Sequence, residues 1–345
     1  MPPKPQFLSA AQAAALAAKL ADAEIVPSYP APPASDIIIE LKKLNAQITK
    51  NEVPIEIFSV ESQSSSIISA AAITLCEKRS FVSAVNLQKE ALDIASYMRI
   101  PLVIANVSSV SGTDKAIYSH NVLGLSGKFI FMPATNQEVF DSIIQAYSLA
   151  ENKNVLMPVV INIDVTTYME HVVPQMKTNL QKLKLPNKIS NGVCIGAPVD
   201  EKGYTELMLQ ATKAANNAIS IMKKINEQWK TDFYERYFTD DAEYIIVAAG
   251  YHAMTVKAAV EKLREMGEKV GLLRPRFFPL QKEEFSKLVG KRIAVIDQSG
   301  GILYNKIKKM CACSVFHSYK YINENDVFDI FAALKKQEKE GSIWL

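Results

Sequence analysis

The chain has 345 residues, 48% hydrophobic and 22% charged, with a formal net charge of +3. That length exceeds one comfortable core, and the composition is that of ordinary globular domains, so two domains are expected. The near-neutral balance gives no electrostatic case for nucleic acid, and no stretch reaches the roughly 18–20 uninterrupted apolar residues of a membrane span.

The alanine-rich start reads as an amphipathic helix beginning near Ser9 rather than a signal peptide, so a cytoplasmic location is expected. The pattern then alternates. A short strand over 24–28 leads into a stiff loop, Tyr29-Pro30-Ala31-Pro32-Pro33, and Ser35 or Asp36 is expected to cap a helix over 37–44. A buried strand over 55–60 precedes a small-residue helix over 64–77. Strands over 79–85, 102–107, 128–132 and 159–164 alternate with helices over 87–98 and 136–150. Continuous apolar strands separated by helices point to a parallel α/β sheet. Residues 173–238 break this rhythm with several prolines and a long helical pattern over 206–229. From Asp240 strands over 244–249, 270–273 and 292–297 alternate with helices over 254–266 and 282–288, which predicts a second, smaller parallel sheet. Gly250 and Gly300-Gly301 fall at the carboxyl ends of its strands, where such folds bind ligands or partners.

Four cysteines are scattered, and none forms a CxxC. An iron–sulfur cluster needs thiolates at compact spacing, so redox clusters are not expected here. Cys311 and Cys313 read as cysteines of a buried strand or helix, with a soft metal as the alternative. The basic runs Lys42-Lys43 and Lys306 to Lys309 read as solvated helix faces.

Several collinear stretches resemble the alpha subunit of pyruvate-type 2-oxoacid:ferredoxin oxidoreductases. They are the run ALAAKLADA around Lys19, Tyr29-Pro30 with Pro33-Ala34-Ser35, Val60-Glu61-Ser62, IASYMRIP (94–101), 136–150, 157–164, 239–250, GEKVGLLRPRFFP (267–279), 294–297 and the tail 331–344. The resemblance implies an α/β fold: a thiamine-diphosphate-enzyme pyrimidine-binding-type parallel-sheet domain over 1–172, a connector with a long helix over 173–238, and a smaller transketolase-C-terminal-like domain over 239–345. It also implies that no cofactor is held by this chain alone. Thiamine diphosphate would sit at an interface with a beta subunit, and iron–sulfur clusters would sit on partner chains. Ferredoxin and coenzyme A would be met indirectly.

Against that family several reactive positions are replaced. The second acid of its V-E-S-E pattern is Gln63, which can hydrogen-bond to a pyrimidine ring nitrogen but cannot exchange its proton. Tyr29 and Pro30 keep the loop expected to face the cofactor, whereas the substrate-contacting threonine is Pro32, with neither hydroxyl nor N–H. The arginine expected to pair with the substrate carboxylate is Val107, with Ser108, Ser109 and Ser111 as weak neutral substitutes. His120 matches a family histidine but lacks both flanking acids. His171 follows Asp164 as in the family's strand-end region and is a weak candidate, His252 and His317 have no partner that spacing identifies, and the segment Ser318-Tyr319-Lys320-Tyr321 departs from the family's glycine-rich sequence. The resemblance thus implies a subunit of a 2-oxoacid:ferredoxin oxidoreductase complex with a degenerate half-site. A competent alpha subunit with unusual site residues and a non-enzymatic interaction protein on the same fold remain the alternatives.

Overall fold

A computed structural model describes residues 3–49, 52–85, 87, 89–108, 121–124, 129–164, 168–185, 201–318, 322–336 and 340–343. The chain divides into two compact units: one of Met1–Val107, Gly127–Phe131 and Thr135–Thr231, the other of Ser108–Ser126, Met132–Ala134 and Asp232–Leu345.

The first unit contains β1 (Gln6–Ser9), α1 (Ala10–Leu20), β2 (Ile25–Ser28), α2 (Ala34–Ala46), β3 (Glu56–Ser59), α3 (Gln63–Leu75), β4 (Phe81–Ala84), α4 (Lys89–Tyr97), β5 (Val103–Val107), β6 (Phe129–Phe131), α5 (Asn136–Ala150), β7 (Val159–Ile163), β8 (Met169–Val172) and α6 (Glu201–Trp229). Strands β4, β5, β7 and β6 lie side by side in that order, all parallel. Parallel β2 and β3 extend the β4 side through a bridge between Ile25 and Ser80. β4, β5 and β7 are buried along their whole length because helices cover both faces of such a sheet.

α1 packs between α2 and α5, and its alanines at 10, 11, 13, 14, 15, 17 and 18 are all buried. Side chains this small allow the neighbouring helices to approach closely. Ser9 starts α1 with a capping box, its hydroxyl accepting from the Gln12 N–H while the Gln12 side chain accepts from the Ser9 N–H. α6 buries Ala214, Ala218, Met222, Ile225 and Trp229, a stripe at helical spacing, and packs on α5 and α4.

Two local expectations are corrected. The strand expected to be buried at 55–60 is an edge strand, β3, with Glu56, Phe58 and Ser59 exposed. An apolar run does not reveal whether a strand has one neighbour or two. α2 is capped by neither Ser35 nor Asp36. It starts two to three residues earlier, after Pro33, because the turn carbonyls of Ala31 and Pro33 take the N–H groups of Ser35 and Asp36. β1 and β8, an antiparallel ribbon, were not foreseen.

The second unit contains β9 (Tyr234–Tyr237), β10 (Tyr244–Val247), α7 (His252–Glu265), β11 (Val270–Pro275), β12 (Phe277–Phe278), α8 (Lys282–Ser286), β13 (Arg292–Asp297), α9 (Ile302–Lys308), β14 (Ser314–Ser318), α10 (Glu324–Lys335) and β15 (Glu340–Ile343). Its sheet has the order β15-β14-β13-β10-β11-β9. All neighbours are parallel except β9, which pairs antiparallel with β11. α7 and α10 bury Val256, Val260, Val327 and Phe331 with Ile246, Leu272 and Ile296 of the sheet. At Gly271 the Phe238 carbonyl oxygen would stand 2.4 Å from any Cβ, which fixes glycine there.

Candidate functional site

In a parallel sheet every carboxyl end faces the same edge, and the loops leaving that edge form the usual site of such folds. In the first unit this edge is formed by the ends of β2, β3, β4, β5 and β7. Tyr29 follows β2 and is half-buried, while Pro30 and Pro32 in the same loop are exposed. The N–H of Val60 donates to the Ser28 carbonyl at 3.0 Å, which holds the β2 and β3 exits together. Ser62 then caps α3, accepting from the Ser65 N–H at 3.0 Å.

Gln63 is the first residue of α3. Its side-chain oxygen accepts from the Val85 N–H at 2.8 Å, just beyond the end of β4. With that oxygen engaged, the side chain has its amide N–H groups left to offer, and an amide does not exchange protons as a carboxyl does. Glu61, two residues earlier, is exposed. Val107 ends β5, fully buried and opposite Ile163 of β7. A valine at this point offers no charge to an anion.

The edge also carries a buried polar relay that the sequence reading did not identify. Asn106 of β5 donates through Nδ2 to Oδ1 of Asn162 at 2.7 Å, and Asn162 donates through Nδ2 to Oδ1 of Asp164 at 2.7 Å. All three side chains are buried, and Asn106 Oδ1 has no hydrogen-bond partner among the described residues. Buried polar atoms are normally paired, so this acceptor is an exception. The available signal was an asparagine next to last in two otherwise apolar strands, IAN at 104–106 and VIN at 160–162.

The carboxyl edge of the second unit is differently furnished. Gly300 and Gly301 adopt left-handed φ values of 65° and 92°. The buried Asp297 carboxylate accepts from Ser299 N, Ser299 Oγ, Gly301 N and Tyr304 N at 2.6–3.2 Å. The Asp297 side chain therefore takes the free N–H groups at the start of α9. His252 is buried with its Nε2 2.8 Å from Gln298 Nε2, a partner that spacing did not reveal. His317, next to last in β14, lies opposite Asp297 in register. His171, on the β1–β8 ribbon, packs against Phe7 with ring centroids 5.2 Å apart and planes tilted by 53°.

His120, Ser109, Ser111, Tyr319, Lys320 and Tyr321 lie outside the described residues. Among the described residues no group of three or more His, Cys, Asp or Glu side chains could hold a metal ion, and no helix is long and apolar enough to cross a membrane.

The family model for the thiamine-diphosphate-binding region of pyruvate flavodoxin/ferredoxin oxidoreductases matches residues 16–230, and that for pyruvate:ferredoxin oxidoreductase core domain II matches 242–329. Pyruvate synthase subunit PorA of Methanocaldococcus jannaschii is 28% identical over 99% of this chain and 97% of its own length. Ketoisovalerate oxidoreductase subunit VorA of Pyrococcus horikoshii is 27% identical over 89% of this chain and 85% of its own. Among solved structures, 2-oxoglutarate:ferredoxin oxidoreductase from Magnetococcus marinus aligns with a TM-score of 0.74 at 15% identity, over 96% of this chain and 65% of that one. A split-gene transketolase aligns with a TM-score of 0.56 at 13% identity, over 96% of this chain and 99% of that one. At such identities these two likenesses show the fold alone, that of the thiamine-diphosphate enzymes.

Proposed function

The chain belongs to the pyruvate flavodoxin/ferredoxin oxidoreductase family, and from that premise we propose that it is the alpha subunit of a 2-oxoacid:ferredoxin oxidoreductase complex whose own thiamine half-site is degenerate. The full-length match to PorA supports the subunit assignment. The observation that carries the degenerate half-site is Gln63, an amide whose oxygen is already bound to Val85 N–H.

Thiamine diphosphate, if bound in such a complex, would supply nucleophilic chemistry at its thiazolium ring. The residues present do not fit the group as a reactive half-site. The position that should exchange a proton with the pyrimidine holds Gln63, the position of the substrate hydroxyl holds exposed Pro32, and the position of the carboxylate-pairing arginine holds buried Val107. We therefore derive no step through the cofactor at this site. The chain instead contributes the scaffold, meets a beta subunit that would hold the diphosphate end, and joins cluster-bearing subunits that pass electrons to ferredoxin.

The test uses the complex assembled with its partner chains. The unmodified half-site should bind thiamine diphosphate weakly or not at all by calorimetry. Gln63→Glu should tighten binding about ten- to hundredfold, the worth of a hydrogen bond to a charged group. It should not restore turnover unless Val107→Arg and a hydroxyl at Pro32 are added, since such groups act as a unit. Rapid turnover of pyruvate or a branched-chain 2-oxoacid at the unmodified site would overturn the degenerate reading in favour of a competent subunit with unusual residues.

A further inference from the structure

Among the described residues, the non-glycine residues with a left-handed φ are Asp22, Glu77, Arg99, Leu156, Lys230 and Phe238. Asp22, Glu77, Arg99 and Lys230 follow the ends of α1, α3, α4 and α6, the usual place for such a residue. Leu156 is 2% exposed, so burial of its side chain offsets the strain. Phe238 has neither reason. It follows β9, the last strand of the second sheet, at a φ of 51°, and it is 46% exposed. A bulky residue in this region is strained, and such strain persists only where surrounding contacts hold it. The Arg264 guanidinium of α7 donates through Nη2 to the Phe238 carbonyl at 2.7 Å and lies over the ring, 5.1 Å from its centroid. The Tyr237 ring packs against the Phe238 ring with centroids 4.5 Å apart. Gly271 of β11 leaves room for the Phe238 carbonyl against the neighbouring strand. The ring is thus an exposed knob held by its surroundings.

The charges beside the knob are already matched. Arg264 binds the Asp241 carboxylate in bidentate fashion at 2.7 and 2.9 Å, Lys257 binds Glu235 at 2.8 Å, and the Tyr237 hydroxyl donates to Glu261. An apolar ring within paired charges suits an uncharged apolar pocket rather than an acidic or basic surface. We propose that Phe238 anchors a protein–protein contact by inserting into such a pocket on a partner subunit of the oxidoreductase complex. The contact rests on the subunit assignment made above. β9 runs antiparallel to β11, so Phe238 lies at the edge of the second sheet opposite the carboxyl ends of its parallel strands. A partner seated there leaves that carboxyl edge uncovered. A ring already held in place loses little freedom on binding, so more of its buried area shows as affinity. The paired charges around it exclude water from the ring and contribute little themselves.

The experiment titrates the purified full-length chain with the purified partner subunits of its complex by calorimetry, and records the melting of each variant alone. Phe238→Gly removes the ring and suits a φ of 51°, so it should melt within about 2 °C of the parent. It should bind about thirtyfold or more weakly, the loss expected on truncating an anchor residue. Phe238→Leu keeps an apolar knob and should lose only about three- to tenfold. Val53→Ser, which removes an apolar side chain 89% exposed in the first unit, should leave affinity unchanged. Equal affinity for the parent and Phe238→Gly, or an equal loss in Val53→Ser, would overturn the proposal. So would a lone chain that self-associates through Phe238, since the occupant would then be a second copy. A parent chain that binds none of the partner subunits would overturn the subunit assignment itself, and this contact with it.

Discussion

Removing the Arg79 guanidinium should destabilise the first unit more than any surface charge change. Arg79 stands just before β4 and is 4% exposed, and its partner Glu151, at the end of α5, is 13% exposed. The guanidinium binds Glu151 in bidentate fashion, Nε to Oε1 at 2.6 Å and Nη2 to Oε2 at 2.7 Å. It also donates to the Ala21 carbonyl after α1 and to the Gln181 carbonyl, each at 2.6 Å. Glu151 holds the Arg79 pKa above its ordinary value against the opposing pull of burial, so the guanidinium remains charged at any working pH. Arg79→Met strips two carbonyls of their donor and leaves a carboxylate buried without its cation. Breaking a buried pair in this way costs about 3–5 kcal/mol. For a unit of this size that corresponds to a fall in Tm of about 10 °C. Calorimetry on the full-length chain would measure it, with hydrogen exchange along α5 showing which transition moves. The double variant Arg79→Met/Glu151→Leu should recover a good part of the loss, because the orphaned charge is gone. A single variant melting within about 2 °C of the parent would refute the reasoning.

Two further outcomes follow from the packing. Asp141 on α5 has its pKa raised from 3.8 to about 6, chiefly by burial and against a hydrogen bond from Gln137 and the charge of Lys177. An acid whose folded value lies above its unfolded one penalises the fold above about pH 6, and the penalty fades as pH falls toward 4. Asp141→Asn should therefore raise Tm at pH 7.5 and lose that advantage near pH 4.5; a gain of equal size at both would contradict the assignment. Gly271→Ala places a Cβ 2.4 Å from the Phe238 carbonyl oxygen and 2.8 Å from its carbon, both backbone atoms that cannot swing away. Overpacking against backbone should cost about 3 kcal/mol, and an alanine variant with unchanged denaturant midpoint would refute the requirement for glycine there.

The sequence by itself determined the central elements. The apolar runs at Val103–Val107, Val159–Ile163 and Arg292–Asp297 announce buried parallel strands, and the helical pattern over 136–150 announces α5. Resemblance rather than physics singled out Gln63, Pro32 and Val107 as the positions on which the proposed degenerate half-site rests. Tertiary structure alone decided the rest. The strand Tyr234–Tyr237, reading YERY, and the strand Met169–Val172, reading MEHV, are too short and too mixed to declare themselves until a partner edge is present. Whether β3 was buried depended on its place in the strand order, which its own residues do not encode. The same holds for the candidate site. Gln63 meets Val85 across 22 residues and Asn106 meets Asn162 across 56, contacts that exist because parallel strands bring their carboxyl ends to one edge. Periodicity fixes which face a side chain takes along its own element, whereas strand order fixes which distant side chain it finds there.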